Sequence, residues 1–410
     1  MKGIEKCRAC GSKRVRQFFD LGDQPFANAL LHHIELNNEK RYPLSLSFCE
    51  DCSLVQLDYT ADPKELFSNY FWVTGTSSTA KNYAKIFFDM AVDHHRIDKN
   101  GYVMEIASND GTFLRPFSEG GYRVLGVDPA ENIARRASES GIRTEVAFFG
   151  SKTARDIVSR EGYPEVLFAR NVLPHVADTN DFVEGLSYCC GDETLAIVEV
   201  HHAGAIADEL HYDSIYHEHL CYFTLQSVEK LLLAHGLYAY DVSFSPISGG
   251  SIVLFLRKRE LPVSKSLIEL RGKENTKGYN GSKCWNDFAV RAYEHRKVLR
   301  EKVEEYSASG CRVIGYGASA RSSTLLNFAG INNELIECII DKNEMKHGRL
   351  TPGTHIPIVG PDEGMNRNPD VIVLLAWNFK DEIIEYLKSR YGYHGKLIVP
   401  LPFSVKVVDL

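Results

Sequence analysis

The sequence contains no run of about 18 apolar residues, so no segment of its 410 residues reads as a membrane span. Its first residues, MKGIEKCRAC, lack an apolar h-region, and no signal peptide is expected. Basic charge is not in excess. The net charge is −7, and no basic cluster with interleaved aromatics occurs, which argues against a nucleic-acid partner. No H-E-x-x-H motif is present to mark a helical zinc protease. What remains is a cytosolic globular chain, 44% hydrophobic and 25% charged, long enough for two or three domains.

Cysteine is the first positive signal. Four of the ten cysteines form two tight pairs, Cys7-Arg-Ala-Cys10 and Cys49-Glu-Asp-Cys52. Two residues between thiolates let both reach one ion, and two such knuckles complete a tetrahedral zinc site. Four thiolates leave no open position, so the expected Zn2+ is structural and contributes folding energy to a small segment. Neither pair opens a helix after a strand, as a redox dithiol would. The other six cysteines are scattered among apolar neighbours, which suits a reduced compartment. Between the pairs, Phe18 to Asn28 reads as an ordered loop. The aromatic stretch Leu66 to Trp72 reads as core, with Tyr70 as an alternative pocket residue.

From about residue 80 the pattern alternates helix and strand. Residues 80–93 carry apolar positions at helical spacing. Tyr102 to Ile106 is a short buried strand running into Ala107-Ser108-Asn109-Asp110-Gly111 and a helix from Thr112 to Ser118. Tyr122 to Pro129 is a second strand with Asp128 near its end. This is the opening of a doubly wound sheet, where ligands bind at the carboxyl ends of the strands. Asp128 is placed to accept from two ribose hydroxyls. No G-x-G-x-x-G opens this unit, so a pyrophosphate has no glycine cradle there. A turn with acid and amide groups suits a cationic, phosphate-free ligand such as S-adenosylmethionine. Residues 165–176 read as a buried strand ending in Asn171 with His175 just beyond, and residues 194–200 as another strand, followed by His201 and His202.

The densest chemistry is Tyr216-His217-Glu218-His219. Histidine titrates near neutrality and can take a proton from a carbon acid. Tyrosine can donate to a developing enolate oxygen, and glutamate can orient an imidazole or a hydroxyl. In a strand, His217 and His219 would share a face, so a metal there stays open as an alternative.

In the C-terminal part, residues 285–308 read as one amphipathic helix ended by Ser309-Gly310. Arg312 to Gly317 gives a strand into a small-residue turn, and Ala318 to Phe328 a helix. Further strands are expected at Ile336 to Ile340, Val371 to Ala376 and Leu397 to Val399. Backbone amides at that helix start, with Arg321, form an anion site in kind; a structural or dimer-forming domain with no ligand is the alternative. Ser248-Gly249-Gly250-Ser251 is either a substrate-facing turn or a plain hairpin turn.

Together these motifs resemble the sugar C-methyltransferases of deoxysugar biosynthesis. The resemblance runs through both CxxC pairs, Glu105 to Gly111, Tyr216 to His219 and Ser248 to Ser251. It continues through Gly315-Tyr316-Gly317-Ala318, Asp341-Lys342-Asn343, Lys346 to Arg349 and Pro352-Gly353-Thr354. It implies an α/β chain of three parts. These are a zinc-binding N-terminal domain (1–72), a central class I methyltransferase Rossmann-like domain (73–265) and a second Rossmann-like domain (266–410) for substrate, without a dinucleotide of its own. The implied substrate is a nucleotide-linked 4-keto sugar, with dTDP the commonest carrier. The oligomeric state stays open, a monomer being the expectation. The family's base matches His219 and its enolate-side tyrosine Tyr216, with His175, Glu218 and Tyr70 at further active-site positions. Glu105, Ala107, Ser108, Asn109, Asp110, Gly111, Asp128, Pro129 and Asn171 fall at the cofactor. Ser248, Gly249, Gly250, Tyr316, Ala318 and Arg321 fall at the substrate. Three departures stand out: Ala107 for a glycine, His201-His202 for a proline-tyrosine pair, and Arg321 for a lysine. A sugar O-methyltransferase and a zinc-ribbon binding protein with a degenerate methyltransferase domain are the alternatives.

Overall fold

A computed structural model of the chain describes residues 2–62, 66, 74–76, 78–245 and 250–410. Three sheets organise it, with a two-stranded pairing of β1 (Lys2–Gly3) and β5 (Tyr59–Thr60) beside them. No helix among the described residues is long and apolar enough to cross a membrane.

The N-terminal sheet combines β2 (Val15–Gln24), β3 (Tyr42–Cys49) and β4 (Val55–Leu57) with the distant β11 (Cys221–Tyr222), in the order β11-β4-β3-β2. Most of the segment expected as a loop is therefore strand β2. Its register against β3 shifts between Gln17 and Phe19 and again between Asp20 and Asp23. These irregularities break the two-residue alternation by which a strand is read from sequence. Phe19 is buried in edge-on contact with Phe288 (5.7 Å) and Phe328 (5.4 Å), so this sheet is locked to both C-terminal helices that follow.

The central sheet holds β6 (Tyr102–Ile106), β7 (Arg123–Asp128), β8 (Thr144–Val146), β9 (Val166–Arg170), β10 (Leu195–His201), β12 (Tyr238–Ser245) and β13 (Ser251–Arg257). Its order is β12-β13-β10-β9-β6-β7-β8. The strands from β10 to β8 are parallel, while β13 and β12 close that edge as an antiparallel hairpin. Strands β6 and β9 are near-continuous apolar runs because helices cover both faces. Helix Ser78–His94 buries Ala80, Tyr83, Ala84, Phe87 and Ala91, one face at helical spacing, against Phe113 and Phe168. The helix expected from Thr112 is shorter, Arg115–Glu119, because Gly111 at φ +75° and a turn precede it. The order reverses between β6 and β9, the point where such sheets bind ligands.

Helix Ser282–Ala308 leads to the last sheet, which holds β14 (Val313–Tyr316), β15 (Ile339–Ile340), β16 (Ile358–Val359), β17 (Val371–Leu374), β18 (Lys396–Val399) and β19 (Lys406–Asp409). The order is β16-β15-β14-β17-β18-β19, parallel apart from β19. Helix Ala320–Ala329 follows β14 and is capped by Ser319. The switch point here lies between β14 and β17.

Candidate active site

The four N-terminal cysteines meet. Their sulfurs lie within 4.8 Å of one another, with Cys7 and Cys52 at 3.5 Å and Cys10 and Cys49 at 3.6 Å. A tetrahedral thiolate set around zinc has edges of about 3.8 Å, so the cluster fits that ion. Each knuckle closes the same way: Gly11 N donates to Cys7 O, and Ser53 N to Cys49 O, with Gly11 and Ser53 both left-handed.

At the mouth of the central sheet, Asp128 ends β7. Its Oδ2 accepts from Asn109 N (2.8 Å) and its Oδ1 from Ala130 N (2.9 Å), with Pro129 between the strand end and that second donor. Ala107 (φ +57°) and Asn109 (φ +51°) are left-handed, as is Gly111, where a Cβ would come within 2.8 Å of Ile142. The Asn109 and Asp110 side chains accept from Thr74 N and Gly75 N, so they tie residues 74–76 across the turn. Ser108 is buried over Gly126, where a Cβ would come within 2.4 Å of its hydroxyl oxygen. Glu105 is buried, and among the described residues its Oε2 has no hydrogen-bond partner. Burial holds its carboxyl well above the usual range, against the opposing field of Arg170. Arg170 is paired with Glu199 (2.7 Å) and lies 3.2 Å above the Phe113 ring. Asn171, left-handed, hydrogen-bonds Glu199 through both backbone N and Nδ2. A fixed acid for ribose hydroxyls and a buried carboxyl oxygen for an ammonium fit S-adenosylmethionine.

The Tyr216 to His219 segment stands at this mouth, because Leu220 N donates to Pro174 O in the turn just past β9. A tight turn, His219 N to Tyr216 O, brings the two side chains together. His219 Nδ1 donates to Ser214 O (2.8 Å), which leaves Nε2 to accept from the Tyr216 hydroxyl (2.8 Å). His175 Nδ1 donates to Glu218 O (2.8 Å), and its ring lies 4.8 Å from that of His219. Burial pushes His175 down to about 4 and His219 well below 6.5, so both are neutral near pH 7. Burial pushes the Glu218 carboxyl up to about 7, opposed by its 2.6 Å bond from Asn28 Nδ2. His217 turns the other way, to Tyr42 O and the Phe26 ring. The two histidines of H-E-H therefore do not share a ligand. Among the described residues the four cysteines form the one metal-type cluster.

Of the residues expected at the substrate, Gly250 (φ +113°) accepts from His202 N, beside the end of β10. Ala318 N donates to Asp341 Oδ2, which also holds Lys346. Tyr316 is buried at the end of β14, near Asp341 and Tyr386. Arg321 is forked onto Asp213. Tyr70, Ser248 and Gly249 lie outside the described residues.

Three family models match successive parts of the chain. They are described as "Putative zinc binding domain" (residues 7–67), "Methyltransferase domain" (81–242) and "C-methyltransferase C-terminal domain" (246–402). The C-methyltransferase NovU of Streptomyces niveus is 31% identical over 405 residues, which is 98% of this chain and 96% of that one. The chain belongs to the C-methyltransferase family. It is an S-adenosylmethionine-dependent methyltransferase with an N-terminal zinc-binding domain. Among solved structures, the magnesium protoporphyrin IX methyltransferase of Synechocystis PCC 6803, with bound SAM, aligns at 12% identity and a TM-score of 0.34, covering 44% of this chain and 80% of that one. A SAM-dependent methyltransferase from Anabaena variabilis aligns at 14% and 0.37, covering 44% and 86%.

Several residues around the candidate site carry no local sequence signature. Asp213 and Trp377 lie 164 positions apart yet share a hydrogen bond. Asn28 reaches Glu218 across 190 positions. His211 packs on Trp377 and lies 6.2 Å from His201, whose field includes Arg321 and His219. His202, by contrast, is bound to Glu274 (2.7 Å), a carboxylate that also caps helix Leu225–Ala234 through Leu225 N.

Proposed function

We propose that this C-methyltransferase places a methyl group on carbon beside the ketone of a nucleotide-linked 4-keto deoxysugar, with dTDP as the carrier. The reading rests on one observation above the others. The Ser214 carbonyl holds the proton of neutral His219 on Nδ1, so Nε2 carries the lone pair of a base. The Tyr216 hydroxyl donates to that same nitrogen. A ketone oxygen that takes over this donor frees Nε2, and Nε2 then removes the proton from the adjacent acidified carbon. Tyr216 stays hydrogen-bonded to the enolate oxygen as charge develops there. His175 also carries its proton on Nδ1, so its Nε2 accepts and suits a sugar hydroxyl better than an enolate. S-adenosylmethionine, when bound, supplies an electrophilic methyl on a sulfonium. Glu105 and Asp128 would hold its ammonium and ribose, with Asn171 beside them. The glycine turn at Gly250 and the β14 turn at Tyr316 and Ala318 are assigned to the substrate, while Arg321 enters through Asp213.

The test is mass spectrometry after incubation with methyl-labelled cofactor and a panel of nucleotide ketosugars. A carbon-bound label is the expected product. Solvent deuterium should also enter the sugar without cofactor, since only carbon-acid chemistry exchanges a C–H bond. Label on a sugar oxygen, or no exchange, would overturn the reading.

A further inference from the structure

Arg321 is a cation on the helix after a small-residue turn, the place where a phosphate anchor is ordinarily sought. Its guanidinium is engaged otherwise. Nε and Nη2 form a fork on Asp213, at 2.9 and 2.8 Å, and Trp377 Nε1 donates to the same carboxylate at 2.8 Å. Asp213 is 1% exposed. It belongs not to the C-terminal sheet but to the short 3-10 turn Tyr212–Ser214 of the central part, and its two partners stand on the helix that follows β14 and just past the end of β17.

The neighbours of Asp213 are held from the same side. The Tyr212 hydroxyl donates to His295 Nδ1 (3.0 Å), and His295 Nε2 donates to Pro400 O (2.7 Å). Thr324, one turn along the helix from Arg321, donates to Ile215 O (2.9 Å). Residues 212, 213 and 215 are thus each fixed by the C-terminal domain. Ser214, between them, presents the carbonyl that sets the His219 tautomer.

We propose that Arg321 is a positioning residue: through Asp213 it fixes the Ser214 carbonyl, and so keeps the His219 proton on Nδ1 and the lone pair on Nε2. A forked guanidinium on a buried carboxylate fixes orientation as well as distance, which a lysine at this position would not do. Without Arg321, the buried Asp213 carboxylate keeps, among the described residues, only the Trp377 indole as side-chain donor, and the turn must move to hydrate it. The C-terminal domain on this account shapes the base as well as facing the substrate. The inference rests on the assignment of His219 as base.

Arg321→Gln and Arg321→Lys in the full-length zinc-loaded protein test it with two readouts. The first is the split between kcat and KM for the nucleotide sugar. Loss of position lowers kcat tenfold or more in Arg321→Gln, with KM changed less than threefold and a smaller loss in Arg321→Lys. The double variant Asp213→Asn/Arg321→Gln falls little further than the single one. A tenfold rise in KM with kcat intact overturns the proposal in favour of a diphosphate anchor. The second readout is 15N NMR of the His219 imidazole without substrate. The wild type shows the Nδ1–H form and the variants a tautomer mixture; an unchanged pattern overturns the proposal. If the wild type methylates no ketosugar, the substrate reading fails while the NMR comparison still decides the positioning role. If Arg321→Gln does not fold, Arg321→Lys, which keeps the charge and loses the fork, decides by the same two measurements.

Discussion

His219 and Tyr216 share a 2.8 Å hydrogen bond in which the hydroxyl donates and Nε2 accepts. Two consequences differ in size. His219→Ala removes the proposed base, and kcat should fall by about 10²–10⁴-fold, the range of a positioned general base. Tyr216→Phe removes the proposed enolate donor and should cost on the order of 10²-fold. Neither side chain belongs to the β6 and β7 turns, so S-adenosylmethionine affinity by calorimetry should stay within about twofold. Activity retained by His219→Ala would remove the base assignment.

Protonation gives a second prediction, with opposite signs for two residue types. Burial depresses His175, His211 and His217 to about 4, below the 6.5 of an exposed imidazole. Their contribution to stability is complete above pH 6.5 and is lost as pH falls through 4. Glu218 runs the other way. Its raised value of about 7 gives a contribution present below 4.5 and lost as pH rises through 7. Histidines outnumber this carboxyl, so thermal stability should fall on acidification from pH 7 to 5. Glu218→Gln should raise the melting temperature more at pH 8 than at pH 5. Equal shifts at both values would contradict the buried, protonatable carboxyl.

The turn proposed for the cofactor was legible as a structural unit because it is local: strand, small polar turn and Asp128 lie within 27 residues. The paired cysteines were legible for a similar reason, since each knuckle is a four-residue unit. The candidate base was legible as part of a cluster, yet its tautomer and hydrogen bonds were not. The Ser214 carbonyl, the Asp213 fork and the Asn28 bond join residues that only the folded chain brings together. Strand β2 was read as loop because its bulges destroy the alternation. His217 and His219 looked equivalent in H-E-H, but the turn between Tyr216 and His219 sends their rings to opposite sides.

Zinc removal should reach the active site, although the cysteines do not touch it. β4, six residues after Cys49, pairs with β11: Gln56 faces Cys221 and Val55 faces Tyr222. Leu57 N also donates to Leu220 O, the residue next to His219. Chelation, or Cys49→Ser, should loosen this sheet, lower the melting temperature and reduce kcat, and after chelation added zinc should restore both. Stability lost with kcat unchanged in the surviving folded fraction would show that the sheet does not hold the base.

Ala107 supplies the sharpest stability test. Its φ of +57° puts a Cβ in the left-handed region, at the position where a glycine is usual in the resembling family. That conformation costs an alanine roughly 1–2 kcal/mol, while glycine adds about 0.4–1 kcal/mol of unfolded-chain entropy. The first effect exceeds the second, so Ala107→Gly should stabilise the central domain by about 0.5–1 kcal/mol. Ala107 N donates to Val127 O at 2.7 Å through the backbone, and glycine keeps that bond. Urea unfolding followed by hydrogen exchange in β6 and β7 should therefore show a higher midpoint, with cofactor affinity changed less than about threefold. A lower midpoint would mean that the Ala107 methyl packs against a neighbour strongly enough to outweigh its backbone strain.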